Sequence, residues 1–325
     1  MGKTVNWGII GLGKIAHKFA QDLLLVENAN LYGVASRGIT KAKDFANKYQ
    51  ADNFYGSYKD LTNDSNIDVV YIATPHIHHC EYTLMALEAG KAVLCEKAFG
   101  MDKSEVEKMI AKASEKQLFL MEALWTRFIP GTEKVLELLN SGLIGDLKTI
   151  RADFGFKANY DPKERLFNKK LGGGALLDIG IYPVFLSLLT LGFPKEIIAS
   201  AVMSPTNVDS SILMLFKYNN QETAILDATL AVDTPTEAWL HGTKGSLKMH
   251  SRFHHTESIS YYKDHELIET YKVTYKGNGY YHEIGEVMNC LQKGKIESDN
   301  MPLSFSLKMI DLLDKIRNEI GLTYN

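Results

Sequence analysis

The sequence predicts an α/β protein of two domains. The first holds a doubly wound parallel sheet; the second is an α+β domain with a large, mostly antiparallel open sheet. Three observations carry this reading. The first half alternates short apolar runs with segments of helical periodicity, the order that builds a parallel sheet with helices on both faces. The second half strings strand-like runs one after another before two closing helices. The length of 325 residues, with 45% apolar and 23% charged, provides for two separate cores.

Residues 5–10 form an apolar run that stops at Gly11, of the kind buried on both faces of a parallel sheet. Ile15, Ala16, Phe19, Ala20 and Leu23 then recur at helical spacing. Residues 31–36 read as the second strand, and Ala42, Phe45, Ala46 and Tyr49 as the apolar face of the second helix. Residues 69–74 are a third strand, and residues 79–89 a helix closed by Gly90 at its C-cap. A short strand follows at 93–96. Asp102, with Glu105 three residues on, marks the start of a helix whose apolar face is Val106, Met109, Ile110 and Ala113. Residues 118–121 complete the first domain, expected at 1–124.

The second domain, expected at 125–325, opens with a helix carrying Val135, Leu138 and Leu139 and ending near Gly142. From Leu147 the pattern alternates, with Ile150, Ala152 and Phe154 on one side and Arg151 and Asp153 on the other. Gly172, Gly173 and Gly174 form a turn before a helix that carries Tyr182. Strand-like runs follow at 197–203, 212–218, 224–232, 246–249 and 258–262. Two helices close the chain, with apolar faces at Ile284, Val287, Met288 and Leu291, and at Met309, Leu312, Leu313, Ile316 and Ile320.

Charge and composition narrow the function. A formal net charge of -3 gives no reason to expect nucleic acid or an anionic membrane as a partner. No apolar stretch is read as reaching the ~20 residues that cross a bilayer. The opening MGKTVNWGII lacks a signal-peptide core and cleavage site, and Asn6 stands where the myristoylation pattern needs Ser or Thr. Cys80, Cys95 and Cys290 are widely spaced and odd in number, which suits neither a disulfide framework nor a zinc site. A cytoplasmic location is expected.

Gly11-Leu12-Gly13-Lys14-Ile15-Ala16 reads G-x-G-x-x-A after a strand and at the start of a helix. In that setting the first glycine makes the tight turn. The second lets the backbone approach a pyrophosphate, and Ala16 allows close helix-strand packing. The helix start, with Lys14 and Ile15, offers free amides to the phosphates. This is the fingerprint of a Rossmann dinucleotide site. The second strand ends Ser36-Arg37, with no acid to bind a ribose 2′-hydroxyl. Ser36 and Arg37 suit a 2′-phosphate, with Lys41 adding charge, so NADP is favoured over NAD. A solvated surface Arg37 is the alternative.

The third strand leads into Thr74-Pro75-His76-Ile77-His78-His79. The histidine spacing does not put all three on one face and no acidic cluster completes a site, so no metal is expected. The turn at Thr74 and Pro75, with His79 opening the helix, is expected beside the cofactor. The next strand ends Glu96-Lys97, at the same edge of the sheet. There a lysine could hydrogen-bond a substrate hydroxyl and move its proton.

Taken together, GLGKIA, IATPHIHH, AGKAVLCEK and GGGALLDIGIY resemble the Gfo/Idh/MocA oxidoreductases, in order and spacing over nearly the whole chain. Within the family, the stretches at 55–58, 118–128 and 172–184 are most similar to the dimeric dihydrodiol dehydrogenases and NADP-dependent D-xylose dehydrogenases. The resemblance implies a catalytic Lys97 in the Glu96-Lys97 motif and a helix-borne pair, Asp178 and Tyr182. Tyr182 stands where most of the family has histidine. The family's proline after the lysine is Ala98 here, which puts the rigidity of that turn in question. Lys97 and Tyr182 are the two candidates for the substrate proton. Asp178 is either a substrate contact or a structural hydrogen-bonding residue. Trp125 and Arg127 stand at the expected domain junction, a favoured place for ligands. They are read with Phe154 and Tyr281 as pocket residues, with packing between domains as the alternative. The expected substrate is a sugar, polyol or diol, and the expected assembly is a homodimer through the open face of the second sheet. A non-catalytic dinucleotide-binding regulator on the same fold is the competing reading.

Overall fold

The structure is a computed structural model that describes residues 4–324; the readings made on Met1 and Gly2 lie outside them. The chain divides into two units. The first comprises the residues up to Trp125 together with Lys276–Ile310, and the second comprises Thr126–Tyr275 with the residues from Asp311 onward.

In the first unit, six strands form one parallel sheet: β1 (Val5–Ile10), β2 (Ala29–Ala35), β3 (Asn53–Tyr55), β4 (Val69–Ile72), β5 (Ala92–Glu96) and β6 (Leu120–Ala123). Their order is β3-β2-β1-β4-β5-β6. The order reverses at β1, which pairs with both β2 and β4, and ligands of such sheets gather at the carboxyl ends beside that point. Strands β4, β5 and β6 are buried at every position, as their continuous apolar runs require. Helix α1 (Lys14–Leu23) buries Ala16, Phe19, Ala20 and Leu23. Helix α2 (Ile39–Tyr49) buries Ala42, Phe45, Ala46 and Tyr49. Strand β3 and the short helix α3 (Tyr58–Asn63) were not readable from periodicity, being three and six residues long. Helix α4 spans His79–Glu88. In helix α5 (Lys103–Lys116), the Asp102 carboxylate accepts from the Glu105 amide at 2.9 Å, and Glu105 accepts from Met101 N at 2.8 Å.

The boundary differs from the sequence reading in one respect. Residues 276–310 were expected in the second domain but belong to the first unit. The reason is Asp22, a fully buried residue of α1. Its carboxylate accepts from Asn278 N at 2.8 Å and from Tyr281 N at 3.0 Å, which caps the N-terminus of helix α8 (Tyr280–Gln292).

The second unit begins with helix α6 (Pro130–Asn140) and carries an eight-stranded sheet. Its strands are β7 (Leu147–Gly155), β8 (Glu196–Met203), β9 (Asp209–Lys217), β10 (Thr223–Thr229), β11 (Ala238–Gly242), β12 (Ser246–Met249), β13 (Ser258–Lys263) and β14 (Glu266–Lys272). The order is β14-β13-β12-β11-β7-β10-β9-β8, antiparallel throughout except for β7 beside β10. One face buries Ile150, Ala152, Ile212, Met214, Phe216, Ala224 and Leu226, partly under helix α7 (Ile181–Leu191). The other leaves Ile198, Leu213 and Ile225 exposed. Helix α9 (Leu303–Glu319) starts in the first unit and ends in the second.

One expectation needs correction. The segment Lys169–Leu191 is long and apolar enough to cross a bilayer by length and composition. It folds instead as a core segment of the second unit, 78% of its most apolar window buried.

Candidate active site

The turn after β1 has the geometry a pyrophosphate needs. Gly11 has φ +88°, and a Cβ there would lie 2.7 Å from the Ala73 carbonyl oxygen, so only glycine fits. A Cβ on Gly13 would meet no protein atom within 4 Å, so the side on which it would stand is open. Gly13 is the N-cap of α1, with no side chain capping the helix and no acid in its first turn. The amides that open this helix are therefore offered outward beside exposed Lys14 and Ile15, while Ala16 is fully buried. These residues fit a bound dinucleotide.

At the end of β2, the Ser36 hydroxyl accepts from Gly38 N at 3.4 Å, and Ser36 N donates to the Tyr55 carbonyl at 3.2 Å. Arg37 and Lys41 are exposed. Tyr58 and Tyr82 meet edge to face at 4.8 Å. Burial pushes both phenols up, and the nearby Arg37 guanidinium pulls them back.

After β4 come half-buried Thr74 and Pro75 and a 3-10 turn, His76–His78. His79 is fully buried. Its Nδ1 lies 2.7 Å from the Ala98 carbonyl and its Nε2 lies 2.9 Å from that of Thr74. Burial pushes the imidazole down to about 4, although both carbonyls favour the charged ring. Both nitrogens face backbone carbonyls, and the single N–H of the neutral ring donates to one of them, so His79 sits between the turn after β4 and the turn carrying Lys97. Among the described residues, no group of three or more His, Cys, Asp or Glu side chains is arranged to hold a metal.

Lys97 is half-buried, directly after β5, and its peptide bond to Ala98 is cis. Glu96 is buried and turns inward, where it accepts a hydrogen bond from the Tyr71 hydroxyl. Trp125 stacks on Tyr280, centroids 5.0 Å apart and planes within 9°. Tyr281, the neighbour named from sequence, instead lies under the Lys276 ammonium at 4.3 Å.

In the second unit, Tyr182 is buried at the start of α7. Its ring lies 5.6 Å from Phe154 and 4.8 Å from His254, and His254 stacks on Phe154 at 4.5 Å. Sequence reasoning brought Phe154 and Tyr182 forward but missed His254, since a histidine in a loop between strands carries no local signal. Asp178 lies in a π-helical turn, Leu176–Gly180, that runs straight into α7. Its carboxylate pairs with Arg165 at 2.8 Å, so the structural alternative left open by the sequence has a partner. Asp209 is fully buried and accepts from Leu176 N at 2.6 Å, and the Tyr324 hydroxyl donates to the Gly173 carbonyl at 2.6 Å. Gly174, at φ +124°, admits no side chain, because a Cβ there would stand 2.1 Å from Asp209 Oδ1. Arg127 pairs with Glu133.

An open phosphate cradle and a lysine at the carboxyl edge of one parallel sheet define a dinucleotide-dependent oxidoreductase. Comparison with known proteins agrees. The family model described as oxidoreductase family, NAD-binding Rossmann fold, matches residues 5–124, and the Gfo/Idh/MocA C-terminal domain matches residues 132–248. The chain is 36% identical over 338 residues to a trans-1,2-dihydrobenzene-1,2-diol dehydrogenase of Danio rerio, covering 99% of this chain and 98% of the relative. It is 34% identical over 330 residues to the Homo sapiens enzyme of the same name, with the same coverage of each chain. A 3-ketoreductase of Actinomadura kijaniata, solved with NADP and TDP-benzene, superimposes with a TM-score of 0.89 at 25% identity over 98% of each chain. The chain belongs to the Gfo/Idh/MocA oxidoreductase family. It is an NAD(P)-linked oxidoreductase acting on CH–OH groups.

Proposed function

We propose that the chain is a cytoplasmic NADP-dependent dehydrogenase acting on a secondary alcohol of a sugar, polyol or trans-dihydrodiol, and that it works as a homodimer. The observation that carries the chemistry is the alignment of two features on one sheet. The open cradle at Gly11–Ala16 follows β1, and Lys97 follows β5, two strands away at the same carboxyl edge. The bound dinucleotide supplies or accepts the hydride. Lys97 holds the substrate oxygen and exchanges its proton, with Tyr182 as the other candidate for that proton. Phe154, beside Tyr182 in the second unit, offers an apolar surface that suits a cyclic substrate.

The cofactor preference rests on Ser36 and exposed Arg37 at the end of β2, where no acid stands to bind a ribose hydroxyl. The substrate class rests on the names of the relatives. The dimer is supported by the exposed apolar residues Ile198, Leu213 and Ile225 on one face of the second sheet. The three cysteines are free and buried, which suits a reducing compartment.

Replacing Lys97 by Met tests the chemistry. NADPH binding, followed by its fluorescence, should persist, while turnover of a trans-diol or aldose should fall by about 10²-fold or more. Wild-type turnover in Lys97→Met refutes the reading.

A further inference from the structure

The run that carries Asp178 and Tyr182 starts from the triple-glycine turn, and that turn is held from two sides within the second unit. On one side is the loop before it: Gly173 N donates to the Asn168 carbonyl at 3.1 Å, and Gly174 N donates to that of Leu166 at 2.9 Å. On the other side is Asp209, the first residue of β9. Its Oδ2 accepts from Leu176 N at 2.6 Å, and its Oδ1 fills the place where a side chain on Gly174 would begin. Gly174 has φ +124°, so the missing Cβ serves both the turn and the carboxylate. Asp209 is fully buried. Burial pushes its carboxyl up to about 7, and the Leu176 amide is foremost among the groups that pull it back. A carboxyl in such a place is costly, and an apolar side chain would pack there without that cost. What the acid offers is an acceptor aimed at an amide of the first turn, of the kind that helix starts leave without a partner.

We propose that Asp209 is a positioning residue for Tyr182: its side chain caps the first turn of the run from the sheet and so fixes how the continuous π-to-α helix presents the Tyr182 phenol. The path is short. Leu176 opens the π-helical turn, which ends at Gly180, and Tyr182 is the second residue of α7. Two other contacts hold the same stretch, the Tyr324 hydroxyl on the Gly173 carbonyl and Arg165 on Asp178. In both, the outside group is the donor, so neither serves the amide that Asp209 takes. The importance of the phenol to turnover rests on the function proposed above; the cap itself does not.

The test compares Asp209→Ala, which removes the acceptor, with Asp209→Asn, which keeps an oxygen for the Leu176 amide without the charge. In the full chain without nucleotide, amide hydrogen exchange at residues 174–182, read by peptide mass spectrometry, should quicken about tenfold in Asp209→Ala and return most of the way in Asp209→Asn. If Asp209→Ala does not fold, Asp209→Ser, whose hydroxyl is too short to reach the amide, takes its place. Wild-type exchange in the folded variant that lacks the acceptor, or exchange in Asp209→Asn as fast as in that variant, overturns the proposal. In steady-state oxidation of a trans-diol, Asp209→Ala should lower kcat about tenfold with KM within about twofold, and Asp209→Asn should recover most of it. NADPH affinity should hold, since the cradle at Gly11–Ala16 lies in the first unit. Tyr182→Phe separates the proposal from the reading beneath it. If that variant loses turnover while Asp209→Ala keeps it, the positioning role is overturned. If both keep it, Tyr182 leaves the mechanism and the cap is judged by exchange alone.

Discussion

Position 37 shows how much a single side chain can decide. An aspartate or glutamate at the end of β2 would accept from a ribose 2′-hydroxyl and repel a 2′-phosphate; an arginine reverses both effects. Arg37 is exposed, so the protein core does not need it, and its replacement tests recognition rather than folding. Arg37→Asp should weaken NADPH by about tenfold or more relative to NADH. Titrating both nucleotides against the variant gives the ratio, and an unchanged preference removes Arg37 from the phosphate site. Gly11 belongs to the same scale but to a different constraint. Its φ of +88° and the Ala73 carbonyl at 2.7 Å from a built Cβ exclude any side chain whatever is bound. Gly11 was legible from the sequence because its meaning is local: a turn after a strand. His254 and Arg165 were not. Each matters through a neighbour far along the chain, and no spacing rule reaches that far.

At the scale of elements, the π-helical turn and α7 are held from outside. Asp209 accepts from the Leu176 amide, while the Tyr324 hydroxyl donates to the Gly173 carbonyl, so two distant segments fix the N-terminal end of the run that carries Asp178 and Tyr182. The Tyr324 phenol is pushed far up by burial, so it stays a donor across the working pH range. Tyr324→Phe should cost about 1 kcal/mol, a drop in Tm of about 2–4 °C. It should also lower kcat more than it changes KM, since the helix start loses a tether. A melting curve with steady-state kinetics checks both; a lower Tm with unchanged kcat makes the contact structural only. The elements themselves were readable where burial imposes a pattern. Strands β1, β4 and β5 announced themselves as apolar runs. Strand β14 did not, because most of its residues are exposed at the edge of the sheet and its sequence carries charges at intervals. The same reasoning explains the misplacement of residues 276–310. Periodicity told which face of α8 is apolar, but not that Asp22 would receive its first amides.

At the scale of the whole molecule, the proposed homodimer would form through the exposed face of the second sheet. Leu213 is 65% exposed in the single chain, on β9, one strand in from the β8 edge of the sheet, with Ile198 and Ile225 on the strands to either side. Leu213→Arg should convert a dimer to a monomer, read by sedimentation velocity; a wild-type species that already sediments as one chain of 36.4 kDa would refute the dimer. The division of the chain has a different outcome. The carboxylate of Asp22 meets its amide at Asn278, 256 residues later. A growing polypeptide thus leaves the ribosome with its nucleotide-binding half lacking a wall, and gains it only after the eight-stranded sheet has been translated. During that interval Phe19, which stacks on Tyr71 and later meets the edge of Tyr280, waits without that second ring. Truncated products of interrupted translation should expose this surface and be the species that chaperones retain.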